Sequence, residues 1–377
     1  MNLDEVVEGL HSVGPSWEKK AAAADEVGRI DAENASDIKA MGAARLLQPT
    51  DFGGAQSSIE NHMRAVAVAG EYCVATSWCL AVWSAHNWML AHMPAEGRQD
   101  IWDDPTNLVS ASIVPKTKFR QQGNDVIVSG RFGFASGCDH APWLSVGGLL
   151  PGDQPNPVIC ALPAEEVIID HKSWDVIGLR GTGSKDLVIA EEVAVPARRV
   201  FRVADSASRK SPGQLDYGGP LYTCPWRTTA ILVLAAPVIG AAKAAVRRFQ
   251  ERVDDHFLVA LGATQRNDPA AGYRLAESTA EILAAELLLY DAAARLDQLG
   301  AAEEVDQLVN ASIVRDCGWG VKALSTAVDR LYEASGSNAM RVDEPIQRLW
   351  RDVNAARSHA ILTWDHAANI YGKALLR

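Results

Sequence analysis

A hydroxyl, two glycines and several aromatic rings fall within one stretch of twelve residues, Phe132 to Trp143. The stretch reads Phe-Gly-Phe-Ala-Ser-Gly-Cys-Asp-His-Ala-Pro-Trp. Aromatic faces pack against flat conjugated rings, and a serine hydroxyl can donate or accept a hydrogen bond. On the residues alone, the pattern favours a hairpin that turns at Ser136-Gly137 and buries its phenylalanines. The alternative is one wall of a site for a flat ring.

Two histidines are candidates for acid–base chemistry. His86 stands in the apolar helical run Trp83-Ser-Ala-His-Asn-Trp88, and His359 stands in the predicted last helix, one heptad after Asp352. That spacing is about two turns, so we expect Asp352 to lie too far away to orient His359. Imidazole can hold or move a proton near neutral pH. For each histidine, the alternative is a buried residue that serves packing alone.

Other polar residues suit an anion or the edge of a ring. Arg227 opens the predicted C-terminal bundle and Ser337 lies in Ala334-Ser-Gly-Ser-Asn338, and guanidinium groups and small Gly/Ser loops bind oxyanions. Gly336 could equally end a helix. Ser112 and its rival Ser110 share one face of a predicted strand, where serines are often satisfied by backbone groups. The chain has no Gly-x-Gly-x-x-Gly or Walker motif, so no nicotinamide site of that kind is expected.

Composition narrows the range of partners. The 377 residues carry a net charge of -11 at pH 7, which argues against nucleic acid or an anionic membrane as the main partner. The N-terminus is acidic where a signal peptide is basic, and no later stretch looks apolar for long enough to cross a bilayer. We therefore expect a cytoplasmic protein. The six cysteines lack Cys-x-x-Cys spacing, which predicts reduced core thiols and no metal site.

Periodicity divides the chain into regions and predicts an α+β fold class. Helical spacing fills residues 1–104, with breaks at Gly14-Pro15 and Gly53-Gly54. Short β-branched runs fill residues 105–205 and predict a small antiparallel barrel or sandwich. Residues 206–222 are polar and predict a mobile linker or lid. Residues 223–377 predict a four-helix bundle with a kink at Pro237. Its expected helices are Thr228 to Val253, Pro269 to Leu299, Val305 to Ser335 and Ile346 to Leu376.

Several motifs resemble the acyl-CoA dehydrogenase fold over essentially the whole chain. Their order and spacing are more specific than any one of them. They are Pro49-Thr-Asp-Phe-Gly-Gly, His86-Asn-Trp, Ser129-Gly-Arg-Phe-Gly-Phe-Ala-Ser-Gly-Cys-Asp-His, Gly178-Leu-Arg-Gly-Thr-Gly-Ser with Val195-Pro196, and Trp350-Arg-Asp with His359. The resemblance implies an N-terminal helical domain, a middle β-barrel or sandwich and a C-terminal four-helix bundle.

Within this fold, the chain looks most like the oxygenase component of two-component flavin-dependent monooxygenases. That branch includes the 4-hydroxyphenylacetate and hydroxylated-steroid hydroxylases. In the common acyl-CoA dehydrogenases, an Arg-Asp pair precedes a Tyr-Glu-Gly-Thr motif whose Glu removes the substrate α-proton. Here Arg351-Asp352 precedes Val-Asn-Ala-Ala-Arg-Ser-His359, without a carboxylate at that place. The alternatives are an acyl-CoA dehydrogenase and an N- or S-oxygenating member of the same fold.

The resemblance implies a reaction and its partners. Diffusible reduced FAD or FMN would come from a separate flavin reductase and form a C4a-hydroperoxyflavin with O2. A small aromatic substrate of phenolic or indole type would then be hydroxylated. No metal would take part, and the protein would be a homotetramer.

The resemblance also implies roles for individual residues. Ser136 would lie beside the flavin N5 and Phe134 along the ring. His86 would bind a phenolic oxygen of the substrate, and His359 would hydrogen-bond the hydroperoxide or move a proton. The remaining cofactor contacts would be Ser112 near the pyrimidine end of the flavin or the substrate, and Arg227 and Ser337 near the phosphate.

Overall fold

The computed structural model describes residues 2–255, 257–258 and 262–376. Its N-terminal part is helical, as the periodicity predicts. Ser58 begins the third helix by accepting a hydrogen bond from the Asn61 N–H at 3.1 Å, and Gly28 and Gly42 end the first two helices in the left-handed conformation. The helices are α1 Leu3–Val27, α2 Ala32–Met41, α3 Ile59–Tyr72, α4 Val74–Leu90 and α5 Ala95–Ile101.

The expected break at Gly14-Pro15 is wrong, because α1 continues through Pro15. The buried face of α1 repeats every three or four residues through Val6, Leu10, Gly14 and Trp17. A Cβ at residue 14 would lie 2.3 Å from the Tyr72 ring, so the glycine lets α1 pack closely against α3. Packing of this face outweighs the hydrogen bond that Pro15 cannot make.

The middle region contains two four-stranded sheets. One has the order β1-β4-β5-β8 and the other β2-β3-β7-β6. The six strand runs seen in the sequence are all present. The strands are β1 Val109–Lys118, β2 Arg120–Gln122, β3 Asp125–Ala135, β4 Trp143–Leu150, β5 Asn156–Pro163, β6 Ile168–Asp170, β7 Lys185–Val195 and β8 Val200–Arg202.

Two features of this region differ from the sequence-based expectation. The sheets are not wholly antiparallel, because β1 pairs with β4 in parallel. The hairpin at Ser136-Gly137 does not form, because β3 and β4 belong to different sheets. Chain runs this short do not specify their pairing partners, so only the packing of the two sheets reveals the crossing.

The polar stretch after β8 folds into three short helices against the N-terminal region. They are α6 Val203–Ala207, α7 Pro212–Tyr217 and α8 Gly219–Thr223. The Trp88 indole donates to the Leu221 carbonyl at 2.8 Å, and the guanidinium of Arg98 pairs with Asp216. The polar side chains that predicted a lid include capping residues such as Ser211 and Gln214.

Long helices make up the C-terminal region. A short hairpin of β9 Phe257–Leu258 and β10 Ala263–Thr264 follows the first of them. The expected last helix is divided in two, and His359 lies in the turn between the halves. No Gly or Pro marks this turn in the sequence, which is why periodicity missed it. The helices are α9 Trp226–Asp255, α10 Pro269–Ala301, α11 Gln307–Ala334, α12 Pro345–Arg357 and α13 Trp364–Leu375.

The sequence analysis found no stretch that is apolar for long enough to cross a bilayer. This is wrong for α9, which is long enough and apolar enough by length and composition. Among the residues that the structure describes, this helix alone passes that test, with a mean hydropathy of 2.0 over its most apolar window. Within the fold, 83% of that window is buried. The apolar surface of α9 is therefore the core of the bundle.

Candidate functional site

The hydroxyl of Ser136 belongs to a chain of buried polar groups. Ser136 Oγ lies 2.7 Å from Ser184 Oγ, and Ser184 Oγ lies 2.7 Å from Thr182 Oγ1. Thr182 Oγ1 donates to the Leu179 carbonyl at 2.7 Å, and Trp78 Nε1 donates to Ser136 Oγ at 3.2 Å. The hydroxyl at the end of β3 is thus fixed by α4 and by the loop that precedes β7.

Phe134 projects from a bulge in β3. The pairing of β3 with β7 shifts between Phe132 and Ala135, and Phe134 adopts a φ of 67°. A left-handed conformation is unusual for a bulky residue and commonly marks a functional position. The ring is 75% exposed and its only ring contact in the described chain is edge-on with Trp174, at a centroid distance of 6.0 Å. The bulge therefore presents an aromatic face two residues before Ser136.

Two serines of β1 hold the backbone of this stretch. Ser110 Oγ donates to the Ser136 carbonyl at 2.7 Å, and Ser112 Oγ donates to the Gly133 carbonyl at 2.5 Å. Both hydroxyl protons are therefore used on backbone groups. The sequence analysis gave this as the common arrangement for serines in a strand. The oxygen of Ser112 keeps lone pairs that a ligand could use. Its observed hydrogen bond, however, is to the strand that carries Phe134.

Gly137 lets the chain turn tightly below α4. Its φ is 68°, and a Cβ there would lie 2.7 Å from the Trp83 ring. No larger residue fits this position without moving Trp83. The buried indole of Trp83 thus packs directly against the residue that follows Ser136.

His359 lies next to this arrangement. Its ring centroid is 6.0 Å from that of Trp78, the residue that donates to Ser136. The side chain is exposed at the surface of the isolated chain, yet the surrounding protein desolvates it enough to lower its pKa from the usual 6.5. Asp352 does not contact it and instead accepts from the Leu179 N–H at 2.6 Å. His359 is therefore neutral at pH 7.

His86 is buried in α4 and has a defined tautomer. Its Nδ1 lies 3.0 Å from the Val109 carbonyl, and because a carbonyl only accepts, Nδ1 carries the proton. Burial lowers the pKa of this histidine to about 4, with the Val109 hydrogen bond acting in the opposite direction. At neutral pH the ring is uncharged, and its Nε2, which has no hydrogen-bond partner in the part of the chain that the structure describes, can accept a hydrogen bond.

The structure does not bring Arg227 and Ser337 together within one chain. Beside Arg227, Thr228 bonds Asn310 near the start of α11, whereas Arg252 at the other end of α9 bonds the Ser335 carbonyl after α11. The 25 residues from Arg227 to Arg252 correspond to roughly 37 Å of helix. Both residues are exposed, and neither side chain has a protein partner in the described part of the chain.

A buried ion pair between Asp139 and Lys185 lies close to Ser136 in the chain, and the sequence analysis did not predict it. Lys185 Nζ lies 2.5 Å from Asp139 Oδ2, and both side chains are only 6% exposed. The pair ties the residue after Ser184 to the turn after Ser136, and so joins the two strands that carry the hydroxyls.

Trp78, Thr182 and Ser184 were also missed as functional residues. Trp78 was not singled out in the sequence, and Thr182 and Ser184 stood in the Gly178-Leu-Arg-Gly-Thr-Gly-Ser motif without an assigned role. The pairing of β3 with β7 is what brings the hydroxyls together. Ala135 faces Lys185 in register, so Ser136 and Ser184 stand side by side. This register exists only in the folded sheet and could not be predicted from the sequence.

The Gly178–Ser184 loop also borders a small cleft between α1, α4, α9 and α12. Its lining includes Asp25, Cys73, Arg348 and Asp352. Burial raises the pKa of Asp352 to about 7, although the Leu179 N–H stabilises the carboxylate. The cleft contains none of the residues proposed to contact a flavin, and Asp352 anchors the loop between the two sites.

All six cysteines are free and buried, as the sequence predicted. Cys138 lies within the focal stretch, and its thiol is 3.6 Å from the Gly183 carbonyl. Burial raises the pKa of this thiol to about 12, so it stays protonated. It is a packing residue between the same two strands.

Comparison with known proteins assigns this architecture to a family. Residues 232–364 match the family described as acyl-CoA dehydrogenase, C-terminal domain. The chain is 31% identical over 368 residues to the flavin-dependent monooxygenase, oxygenase subunit HsaA, of Rhodococcus jostii (strain RHA1), covering 96% of each protein. It is 30% identical to the FADH(2)-dependent resorcinol hydroxylase, oxygenase component, of Rhizobium sp. (strain MTP-10005), covering 97% of this chain and 92% of that one.

A solved structure agrees over the same length. The crystal structure of 3-HSA hydroxylase from Rhodococcus sp. RHA1 superposes with a TM-score of 0.92 at 31% identity, covering 99% of this chain and 96% of that one. The helical N-terminal part, the two sheets and the C-terminal helices are thus the acyl-CoA dehydrogenase-like fold. The chain belongs to the family of oxygenase components of flavin-dependent monooxygenases.

Proposed function

We propose that this enzyme takes reduced FAD or FMN from a separate flavin reductase and uses it with O2 to hydroxylate a small aromatic substrate. The observation that carries the proposal is the pairing of an exposed Phe134 ring with the Ser136 hydroxyl two residues later. Relatives are named for resorcinol, p-hydroxyphenylacetate and indole-3-acetate, which supports a phenolic or indole-type substrate.

The residues present fit a flavin ring. Phe134 offers an uncovered aromatic face, and the bulge in β3 holds it there at the expense of an unfavourable φ. Ser136 supplies a hydroxyl that is held by Trp78 and Ser184. When bound, reduced flavin supplies the two electrons that activate O2 for transfer of one oxygen atom.

In this proposal the protein groups exclude water and handle protons. Trp78, Trp83 and Phe134 form apolar walls, which keep water away from the reacting centre. His86 accepts a hydrogen bond from a phenolic hydroxyl at Nε2, because its Nδ1 is already bonded to Val109. This hydrogen bond draws the hydroxyl proton toward the imidazole and makes the ring more nucleophilic. His359, neutral and exposed beside Trp78, transfers a proton during the reaction.

Ser112, Arg227 and Ser337 complete the proposed cofactor contacts. Ser112 acts through its lone pairs and through the strand it fixes. Arg227 and Ser337 both suit a phosphate, but a site that uses both needs two subunits because they lie at opposite ends of α9. This separation supports the proposed homotetramer.

The outer face of α10 also supports an assembly of subunits. Tyr273, Leu283 and Leu287 are 74%, 56% and 61% exposed, and they lie on one side of the helix. A second copy of the chain would cover them. We further propose a cytoplasmic protein without a membrane segment, since the apolar window of α9 is packed inside the bundle.

The test combines binding and turnover. Purified protein is titrated with reduced FAD and with reduced FMN without oxygen, then mixed with O2 and a panel of phenols and indoles. We expect micromolar or tighter binding of a reduced flavin and a product that carries one ¹⁸O atom from ¹⁸O2. Failure to bind either reduced flavin, or tight binding of oxidised FAD with oxidation of acyl-CoA thioesters, would contradict the proposal.

A further inference from the structure

The hydroxyl chain behind Ser136 has only one arrangement of protons. Thr182 Oγ1 lies 2.7 Å from the Leu179 carbonyl, which can only accept, so Thr182 must donate its single proton there. Two oxygens at that distance without a proton between them would repel each other. Thr182 can therefore only accept from Ser184.

The same accounting fixes the other two hydroxyls. Ser184 uses its only proton on Thr182, so its contact with Ser136 at 2.7 Å requires Ser136 to be the donor. The indole N–H of Trp78 is a donor only, and it occupies one lone pair of Ser136. Ser136 is left with one free lone pair and no free proton.

A ligand that meets Ser136 must therefore donate to it. The four side chains are nearly buried, at 4% for Trp78, 7% for Ser136, 1% for Thr182 and 5% for Ser184, so water cannot readily supply a replacement partner. The N5 atom of a reduced flavin carries a hydrogen and is a donor. The N5 atom of an oxidised flavin has only a lone pair and would face the lone pair of Ser136.

We infer that Thr182 and Ser184 are positioning residues that make the site selective for the reduced form of the flavin. They act by holding the proton of Ser136 away from the ligand. This inference rests on the proposed function, in which Ser136 lies beside the flavin N5. It explains how an oxygenase that receives its flavin by diffusion can bind the reduced form and release the oxidised form.

The experiment measures the dissociation constants of reduced and oxidised flavin, without oxygen for the reduced form, in the full-length protein. In the wild type we expect the reduced flavin to bind at least tenfold more tightly. In Thr182→Val, Ser184 loses its acceptor and can donate to Ser136, which frees the proton of Ser136 to face the flavin. Oxidised flavin should then bind roughly tenfold more tightly than it does to the wild type, while binding of reduced flavin changes little.

Two further variants serve as controls. Thr182→Ser keeps the hydroxyl and should keep the wild-type ratio of the two constants. Ser184→Ala frees the proton of Ser136 in a second way and should also strengthen binding of oxidised flavin. Damage to the fold would weaken the binding of both flavins. Tighter binding of oxidised flavin therefore separates the expected effect from structural damage.

The outcomes separate the inference from the proposed function. If the wild type binds neither flavin, the proposed function fails and the inference with it. If the wild type prefers reduced flavin but Thr182→Val and Ser184→Ala both keep the wild-type ratio, the proposed function stands and the inference is wrong. If Ser136→Ala leaves both constants unchanged, Ser136 does not contact the flavin and the inference is again wrong.

Discussion

Individual side chains in this protein have defined protonation states because of where they are buried. His86 and His359 both have pKa values below the usual range, and desolvation is the main cause in each. Both imidazoles are therefore neutral at pH 7. They differ in contact, since His86 bonds a backbone carbonyl and His359 packs beside Trp78. The proposed roles of the two histidines predict different responses to substitution.

Replacing His359 with Ala should reduce coupled product formation by about 10²-fold or more, the usual contribution of a positioned acid–base group. Hydrogen peroxide should appear in place of product, because proton transfer fails while flavin oxidation continues. The residue is exposed, so the free energy of unfolding should change by less than about 0.5 kcal/mol. Product and peroxide are measured together at several pH values, with Ser358→Ala, the neighbouring exposed residue, as a control. Unchanged coupling would remove His359 from the mechanism.

Replacing His86 with Asn should slow hydroxylation of a weakly acidic phenol by about 10²-fold or more at pH 7, because the imidazole acceptor for its hydroxyl proton is lost. A phenol made acidic by an electron-withdrawing substituent is already ionised at this pH. Its rate of hydroxylation should therefore fall much less in the variant. Initial rates with the two phenols measure this difference. Equal losses for both substrates would show that His86 is needed for packing alone.

At the scale of elements, the site depends on how β3 and β7 are joined. Ser136 ends one strand and Ser184 precedes the other, and the buried Asp139–Lys185 pair links the same two segments. The glycine-rich loop is held from the other side by Asp352 of α12 through the Leu179 N–H. The position of the hydroxyl chain therefore depends on both α12 and β3, because the loop is bonded to each of them.

Replacing Asp139 with Ala should destabilise the protein by about 3 to 5 kcal/mol, because Lys185 is left buried without a partner. Denaturant unfolding measures this loss. The matched control is Asp170→Ala, which breaks the exposed Arg131–Asp170 pair in the same region and should cost far less. If the two variants lose equal stability, the buried pair does not hold the strands together.

For the whole molecule, the exposed face of α10 predicts how the chain assembles. Leu283→Glu with Leu287→Glu places two charges on this face and should dissociate the proposed homotetramer, because burial of an unpaired carboxylate is costly. Light scattering after size exclusion measures the mass. Leu215→Glu, at another strongly exposed leucine, is the control and should leave the mass unchanged. An unchanged mass for the α10 variant would place the interface elsewhere.

Burial of His62 should make a contribution to the stability of the whole molecule that is lost as pH drops below about 6.5. His62 is fully buried, both its ring nitrogens lack a partner among the described residues, and burial lowers its pKa to about 3. Between about pH 3 and 6.5 the unfolded chain binds a proton at this histidine and the folded chain does not, so unfolding is favoured as pH falls. Asp352, with its raised pKa of about 7, acts in the opposite direction between about pH 4 and 7.

His62→Leu tests this pH dependence. At pH 5 the wild type should have lost about 2 kcal/mol through His62, at about 1.4 kcal/mol per pH unit. The variant should therefore gain about 2 kcal/mol relative to the wild type between pH 8 and pH 5, as measured by denaturant unfolding. Parallel pH profiles for the two proteins would show that His62 is protonated in the folded state.

The sequence by itself determined most of the elements and the family. Ser58 and the left-handed glycines at residues 28 and 42 specify helix ends through local geometry, and the β-branched runs specify strands. The motifs around Ser136, Arg351-Asp352 and His359 indicated the monooxygenase branch, because their types and order are features of the chain alone. The roles of Ser136, His86 and His359 stay predictions until the experiments above are done.

Only the tertiary structure decided what lies beside these residues. It joined Ser136 to Ser184 across 48 residues and to Trp78 across 58, placed β3 and β4 in different sheets, and separated Arg227 from Ser337 along α9. The direction of a hydroxyl proton depends on every acceptor around it, and those acceptors come from distant parts of the chain. Local sequence fixes which groups are present, and packing fixes which of them donate and which accept.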